Sequence, residues 1–289
     1  MFETVGKLWG HAPGRARDLY HRLPLGVRRV FNRALFPSDR RVVTVQSGLL
    51  QGVRLEVSPR LESGLYLGTH EPDLQAALPK FATPGMTAYN LGAHIGFFTL
   101  ALSRLVGASG RVLAFEPDPR ALPRLRRNLT LSDFSRNVQV FPLAVGERDG
   151  EAQFATALTD MQGRFANLPH VPADAPVVTV QCCKIDSFLA QGNPKPEVVL
   201  MDVEHAEGMV LAGMSQTLSE IRPTLLIEMH GPQAIREAWA QLEQHSYELF
   251  RLRQVERVLN VDQIVPLGHY LGLPAKRAAS IGENNASRH

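Results

Sequence analysis

The chain has 289 residues, of which 44% are hydrophobic and 20% are charged. This composition excludes a collagen, a disordered chain and a disulfide scaffold, and the length allows one large domain with additions or two small ones. The cysteines are Cys182 and Cys183, which are adjacent and poorly placed to bridge each other, so we expect a reducing compartment, the cytoplasm. The sequence has no run of about 18 apolar residues and no secretory leader pattern, so we expect no stable membrane insertion.

The positive charge is concentrated at one end of the chain. Residues 1–41 carry nine basic and three acidic side chains, which gives +6; the whole chain sums to +3, so the remainder sums to −3. Because this segment also contains Trp9, Tyr20 and Phe31, we predict a helical cap that packs on the domain or on a second subunit, which leaves a homodimer open. The predicted division is a basic helical extension over 1–41, a β-hairpin and lead-in helix over 42–80, a main domain over 81–273 and a disordered tail over 274–289.

Strands alternate with helices along most of the chain. Residues 42–57 predict two strands around a turn, followed by a short helix. Apolar runs then predict strands at 87–91, 111–115, 138–143, 197–203 and 224–229. Helical spacing predicts helices at 95–106, 119–131, 206–218 and 232–244, and two closing strands are predicted at 247–253 and 263–267. This alternation predicts a parallel sheet with helices on both faces.

A glycine-containing loop, NLGAHIG, follows the first strand of the main domain. A dinucleotide fingerprint starting at Gly92 would need glycines at positions 94 and 97, which hold His94 and Phe97. The spacing therefore favours a cofactor without a pyrophosphate, or glycines that only allow tight packing of helix on strand. Glu116 follows the next strand about 20 residues later, where an acid accepts the hydroxyls of a ribose, so we favour a nucleoside-containing ligand.

Five blocks of sequence occur in an order that is typical of one family. They are NLGAHIGFFTL, GRVLAFEPDP, NVQVFPLAVGERDG, KIDSFL and VVLMDVEHAE. With these blocks, from about residue 64 to residue 230, the chain resembles the FkbM family of S-adenosylmethionine-dependent methyltransferases. The resemblance implies a class I methyltransferase fold, an α/β Rossmann-like architecture with a doubly wound, mostly parallel seven-stranded sheet. It also implies O-methylation of a hydroxyl on a small molecule, such as a natural product, a sugar or a lipid.

The resemblance also implies which residues bind S-adenosylmethionine. It places Gly92, Ala93 and Gly96 around the methionine part, with a hydroxyl from Thr99. It places Glu116 and Pro117 at the ribose, and Ala144 and Val145 at the adenine. The cofactor set is completed by the motif residues Asn90, His94 and Asp202.

The chain departs from the family pattern at four motif positions. Asn90 replaces an acid, His94 an asparagine, Met201 a lysine and His205 a glycine. These departures motivate an alternative function, a non-catalytic module that keeps the fold.

Acidic residues and histidines follow the last two core strands of the predicted sheet. Asp202 is the candidate for positioning or deprotonating the acceptor hydroxyl, and His230 is the alternative base. Glu204 is a candidate for the same chemistry or for the start of the following helix. Glu71, His205 and Glu228 are expected on the substrate side. This set could hold Mg²⁺, but no spacing rule demands it, and we expect no required metal.

A nucleic-acid methyltransferase is a further alternative, using the basic extension. The acidic remainder of the chain and the lack of a stripe of aromatic and basic residues disfavour it. The sequence also lacks the N/D-P-P-[YF] motif that is common in amino-methylating enzymes. We therefore expect a small-molecule hydroxyl acceptor as the partner and no nucleic acid.

Overall fold

The structure is a computed structural model that describes Val27 and residues 36–156, 163–168, 171–253 and 255–278. Most of the predicted extension over 1–41, and the last eleven residues of the predicted tail, lie outside the described residues. No helix within the described ranges combines the length and the apolar character needed to cross a lipid bilayer.

The elements are numbered here in chain order. The strands are β1 (Arg41–Thr44), β2 (Arg54–Val57), β3 (Thr87–Leu91), β4 (Arg111–Phe115), β5 (Val138–Phe141), β6 (Leu143–Val145), β7 (Gly150–Ala155), β8 (Arg164–Phe165), β9 (Val177–Cys183), β10 (Val198–Met201), β11 (Thr224–Met229), β12 (Tyr247–Arg251), β13 (Glu256–Arg257) and β14 (Gly268–Pro274). The α-helices are α1 (Ser63–Leu67), α2 (Pro72–Phe81), α3 (Phe97–Val106), α4 (Ala121–Thr130), α5 (Ile185–Ala190), α6 (Glu207–Ala212) and α7 (Pro232–Gln244).

The main sheet has the strand order β13-β12-β14-β11-β10-β3-β4-β5 in the described part of the chain. The five strands from β11 to β5 are parallel, while β14 lies antiparallel between β11 and β12. The predicted doubly wound, mostly parallel sheet is confirmed, with one strand more than the seven expected. The additional strand, β13, has only two residues and pairs with β12 at the edge.

The C-terminal part of the sheet corrects two predictions. The predicted strand over 263–267 is wrong: a 3₁₀ turn occupies Val261–Gln263, and the closing strand is β14. The reason is pairing, because β14 hydrogen-bonds to two neighbours and buries Tyr270 and Leu271. The predicted disordered tail does not start at residue 274, because Pro274 pairs with Tyr247 in the sheet and Ala278 is buried.

The helix predicted over 206–218 is interrupted. It consists of α6 and a separate π-helical turn at Thr217–Ile221. Gly213 lies at the break, where a Cβ atom would come within 2.0 Å of the Gly146 carbonyl oxygen. The two helical segments therefore meet at a close contact that only glycine allows.

The hairpin and lead-in helices share a core with the main domain. Leu55 of β2 and Leu78 of α2 are fully buried in the same apolar cluster as Leu100 of α3. A buried ion pair crosses the same boundary, since Arg124 Nη2 of α4 lies 2.7 Å from Glu62 Oε2. A second sheet, with the order β6-β9-β7-β8, packs next to the carboxyl edge of the main sheet.

Candidate functional site

A cleft of about 250 Å³ opens at the carboxyl edge of the parallel strands. Each of four neighbouring strands is followed directly by a residue that lines this cleft. Glu116 follows β4, Gly92 follows β3, Asp202 follows β10 and His230 follows β11. Ligands bind at this edge in doubly wound sheets, so the topology alone brings the predicted residues together.

The glycine loop approaches the end of β10 very closely. Gly92 has a φ of 84°, and a Cβ atom there would lie 1.8 Å from the Asp202 carbonyl oxygen. His94 also adopts a left-handed conformation, with a φ of 48°. The loop after β3 thus packs against the end of β10. The His94 side chain lies in the cleft wall, where burial lowers its pKa to about 4.

Glu116 is held in the cleft by two backbone donors. The His94 N–H donates to Oε2 at 2.6 Å, and the Asp118 N–H donates to Oε1 at 2.8 Å. Burial raises the pKa of Glu116 to about 7, although the two hydrogen bonds act in the opposite direction. Both carboxylate oxygens are therefore fixed in position while keeping further lone pairs.

The wall near Glu116 is apolar. Ala144 and Val145 of β6 line it as the sequence predicts, together with Pro117. Phe154 and Phe165 of the second sheet also line it, and sequence reasoning missed both. The signal for them is weak, because they lie on short strands in the most irregular part of the chain.

Four residues predicted at the cofactor do not line the cleft itself. Asn90 and Ala93 line a small adjoining pocket of about 40 Å³. Thr99 is fully buried and hydrogen-bonds to the Asn90 amide at 2.8 Å. Gly96 directly precedes α3, and a Cβ atom there would lie 2.6 Å from a Leu125 methyl group. Gly96 and Thr99 thus have packing roles behind the cleft wall.

His230 is at the centre of an acidic cluster on the opposite side of the cleft. Its Nδ1 atom is hydrogen-bonded to Glu207 Oε1 at 2.7 Å. Its Nε2 atom faces Asp202 Oδ1 at 3.7 Å, Glu228 Oε2 at 3.7 Å and Glu204 Oε2 at 4.0 Å. The structure therefore brings together the three residues that the sequence proposes for catalysis, and it adds the buried Glu207.

The cluster is electrostatically coupled. Burial raises the pKa of Asp202 well above its ordinary value, and the neighbouring Glu228 and Glu71 act in the same direction. Burial also raises the pKa of Glu228 and of Glu204. For His230 burial acts to lower the pKa, but the Glu207 hydrogen bond and the nearby carboxylates outweigh it and raise the pKa to about 9.

Glu71 forms the outer side of this cluster between two histidines. Its carboxylate lies 2.9 Å from His70 Nε2 and 3.0 Å from His269 Nε2. Burial alone would raise the pKa of Glu71, but these two hydrogen bonds lower it to about 2. His70 and His269 were missed by sequence reasoning. His70 was next to a predicted residue, whereas His269 reaches the site only because β14 pairs with β11.

His205, which is predicted on the substrate side, does not line the cleft, although its ring centroid lies 5.7 Å from that of His230. It lines a neighbouring pocket with Gly231 and Pro232. The cause is the backbone, because Glu204 and His205 have φ values of 47° and 75° before α6 starts, and the His205 side chain packs against Gly231 after this double left-handed turn. A glycine adopts such a conformation without strain, which accounts physically for the residue that the family pattern has here.

Glu204, in contrast, is directed into the cleft. Its carboxylate lies 3.4 Å from Arg164 Nη2, and α6 begins at Glu207 without a side-chain cap from the preceding residues. Of the two alternatives left open by the sequence, the structure places Glu204 beside His230 and not over the helix start.

Comparison with known proteins gives one family. Residues 90–249, more than half of the chain, match the family model described as the Methyltransferase FkbM domain. The 2-O-methyltransferase NoeI of Sinorhizobium fredii is 26% identical over 127 residues, which are 39% of this chain and 51% of NoeI. The hexuronic acid methyltransferase AglP of Haloferax volcanii is 28% identical over 161 residues, which are 55% of this chain and 62% of AglP. The chain thus spans less than two thirds of the length of either relative.

Two solved methyltransferase structures are similar to parts of this chain. The methyltransferase FkbM from Methylobacillus flagellatus KT has a TM-score of 0.42 and 19% identity, covering 65% of this chain and 43% of that chain. The SAM-dependent O-methyltransferase TM0748 from Thermotoga maritima has a TM-score of 0.41 and 13% identity, covering 70% of this chain and 64% of that chain.

Proposed function

Because the chain belongs to the FkbM methyltransferase family, we propose that it is an S-adenosylmethionine-dependent O-methyltransferase that acts on a sugar hydroxyl. One observation carries this proposal. One cleft is lined on one side by Glu116 and Val145 and on the other side by Asp202 and His230, and Gly92 of the loop after β3 lies between them. The first side has the groups that hold a nucleoside, and the second has the groups that accept a proton.

The residues of the first side fit the cofactor chemically. Glu116 offers two fixed carboxylate oxygens to the two hydroxyls of a ribose, and the apolar surface of Ala144 and Val145 suits an adenine. When bound, the cofactor supplies a methyl group on a positively charged sulfur. An acidic cleft attracts a cation of this kind.

The residues of the second side orient the acceptor and remove its proton. Asp202 follows β10 and its side chain is partly open to the cleft, so its Oδ2 could hydrogen-bond an acceptor hydroxyl and take the hydroxyl proton when the methyl group passes from the sulfur of the cofactor to the oxygen. Alignment of this kind contributes roughly 7–11 kcal/mol in the best model systems, and a positioned base adds about 100-fold or more. His230 and Glu204 are the neighbouring charged groups that act on the Asp202 carboxylate.

The acceptor class is proposed from two sources. NoeI and AglP are named as methyltransferases of a 2-O position and of a hexuronic acid, and carboxylates are good partners for the hydroxyls of a sugar. The acidic wall around Asp202 and Glu228 also argues against a nucleic-acid acceptor, whose phosphates it would repel. We keep the predicted cytoplasmic location as part of the proposal, since Cys182 and Cys183 are both free thiols.

A non-catalytic module is the second candidate, and Asn90 favours it. The Asn90 amide donates to Thr99 and is buried, so the carboxylate that the family pattern has at this position is absent from the cofactor side. On this alternative the chain binds the cofactor weakly or not at all and transfers no methyl group.

Calorimetry and a product assay test the proposal together. We expect S-adenosylmethionine and S-adenosylhomocysteine to bind, with no comparable binding of NAD. We then expect release of S-adenosylhomocysteine with at least one member of a panel of neutral, amino and acidic glycosides. Binding without release on any acceptor of the panel supports the non-catalytic module, and no binding of either cofactor form contradicts the proposal.

A further inference from the structure

The atoms around His230 Nε2 have an unusual spacing. Asp202 Oδ1 and Glu228 Oε2 each lie 3.7 Å from this nitrogen. These separations exceed the 2.7–3.2 Å of a hydrogen bond by a clear margin. They are shorter than about 4.2 Å, which is twice the distance of about 2.1 Å between a divalent cation and its nitrogen or oxygen ligands. Two ligands of one cation lie at separations of this kind.

The atoms that face this gap have no other use in the described part of the chain. Asp202 Oδ1 is buried and has no hydrogen-bond partner among the described residues. The His230 side chain is only 3% exposed, and its Nε2 has no hydrogen bond there. A buried oxygen without a partner is costly, and a ligand between it and His230 Nε2 would satisfy it.

Glu207 fixes the orientation that a metal-binding histidine needs. Its Oε1 accepts the His230 Nδ1–H at 2.7 Å, and the glutamate is fully buried. Nε2 is then the ring atom directed at Asp202 and Glu228, and a cation that binds there takes the place of the Nε2 proton. A carboxylate on the far nitrogen is the usual support of a histidine ligand, because it sets the tautomer and increases the basicity of the ring.

From this geometry we propose that His230 Nε2, Asp202 Oδ1 and a Glu228 carboxylate oxygen bind one divalent cation of the Mg²⁺/Mn²⁺ type. The three ligand atoms lie within 4.8 Å of one another and lie on the wall of the cleft. One nitrogen and two carboxylates suit Mn²⁺ or Mg²⁺ better than the softer metals. The role of the cation rests on the proposed function: it holds the acceptor hydroxyl beside Asp202, whose Oδ2 stays free for the proton. The inference goes against the expectation from the sequence that no metal is required.

A second group of residues, Glu71, Glu228 and His269, also has the spacing of metal ligands. Its groups are already paired, because Glu71 accepts from both His70 and His269 at 2.9 and 3.0 Å. Binding a cation there would break two hydrogen bonds, whereas binding at His230 breaks none. The two groups share Glu228. A substitution of Glu71, which belongs only to the second group, therefore distinguishes the two sites experimentally.

Electron paramagnetic resonance with Mn²⁺ tests the proposal on the full chain, without cofactor or acceptor. We expect the six-line signal of free Mn²⁺ to be lost up to one equivalent per chain, and excess Mg²⁺ to restore it. Nitrogen modulation in the spin echo of the bound ion should show an imidazole ligand. We expect Asp202→Asn and Glu228→Gln each to weaken binding by about tenfold or more, and Glu207→Gln by about 10–100-fold.

Glu71→Gln is the matched control, and it should change Mn²⁺ affinity by less than about threefold. Loss of binding in this variant equal to that in Asp202→Asn would overturn the assignment, as would an absence of stoichiometric binding in the wild type at millimolar Mn²⁺. Circular dichroism shows whether each variant is folded. If a variant does not fold, the nitrogen modulation measured on the wild-type protein still tests for the imidazole ligand. Since the cofactor is absent from this titration, its result is independent of the calorimetry that tests the methyltransferase proposal.

Discussion

The replacement of Glu116 by glutamine tests the cofactor side of the cleft. The carboxylate oxygens are fixed by the N–H groups of His94 and Asp118 at 2.6 and 2.8 Å. Glutamine keeps the size of the side chain but turns one acceptor oxygen into a donor and removes the charge. Hydrogen bonds to a charged group contribute about 1.5–3 kcal/mol, so we expect a loss of about 2 kcal/mol, or roughly 30-fold in the Kd for S-adenosylhomocysteine.

The pH dependence of binding gives a second, independent readout of Glu116. Burial raises its pKa to about 7, and the ribose hydroxyls need the ionised form. If only the carboxylate binds, the Kd of the wild type is about tenfold weaker at pH 6 than at pH 8, and Glu116→Gln loses this dependence. The sign for stability is opposite: the raised pKa favours the folded state at low pH, and this contribution is lost as the pH rises from 4.5 to 7.

Calorimetry at pH 6 and pH 8 measures both effects. Glu197→Gln is the matched control, because Glu197 also accepts a backbone N–H, that of Thr87 at 2.9 Å, but at the opposite edge of the sheet. The control should bind as the wild type does. If Glu116→Gln is folded and binds with unchanged affinity and unchanged pH dependence, then Glu116 does not contact the ribose and the reasoning is wrong.

Three further predictions concern turnover and stability. Asp202→Asn should lower kcat by about 100-fold while leaving the Kd of the cofactor within about threefold, and an equal loss in both would show that Asp202 acts only through the cofactor. Arg124→Ala should lower the free energy of unfolding in urea by about 3–5 kcal/mol, because it leaves Glu62 buried without its partner; a loss below about 1 kcal/mol contradicts this. His205→Gly should raise the free energy of unfolding by about 1 kcal/mol, since it removes left-handed strain at a φ of 75°, and a destabilised variant would show that contacts of the His205 ring dominate.

The central fold was predictable because its signals are local. Alternating apolar strands and helices fix a parallel sheet, and the strands at Thr87–Leu91, Arg111–Phe115 and Thr224–Met229 have the predicted bounds. The last strand was misplaced because β14 contains polar His269 and two glycines, so its identity depends on pairing with β11 and β12 and not on its own pattern.

The candidate site was predictable for residues that directly follow a core strand in the sequence. Glu116, Asp202 and His230 have this property, and the topology brings them to one edge. Phe165 lines the cleft and His269 contacts Glu71 through long-range packing, for which a single sequence holds no signal. The pocket that His205 lines depends on two consecutive left-handed residues, Glu204 and His205, which the sequence does not show.

Transfer of a labelled methyl group tests the central claim most directly. The full chain is incubated with S-adenosylmethionine carrying a trideuterated methyl group, with the glycoside panel and with Mn²⁺, and the products are analysed by mass spectrometry before and after mild alkali. The proposed function predicts a label on a hydroxyl oxygen, as an ether that survives alkali, and its near loss with Asp202→Asn. A label that is found on nitrogen, or on a carboxyl group as an alkali-labile ester, would contradict the claim, as would no transfer to any member of the panel.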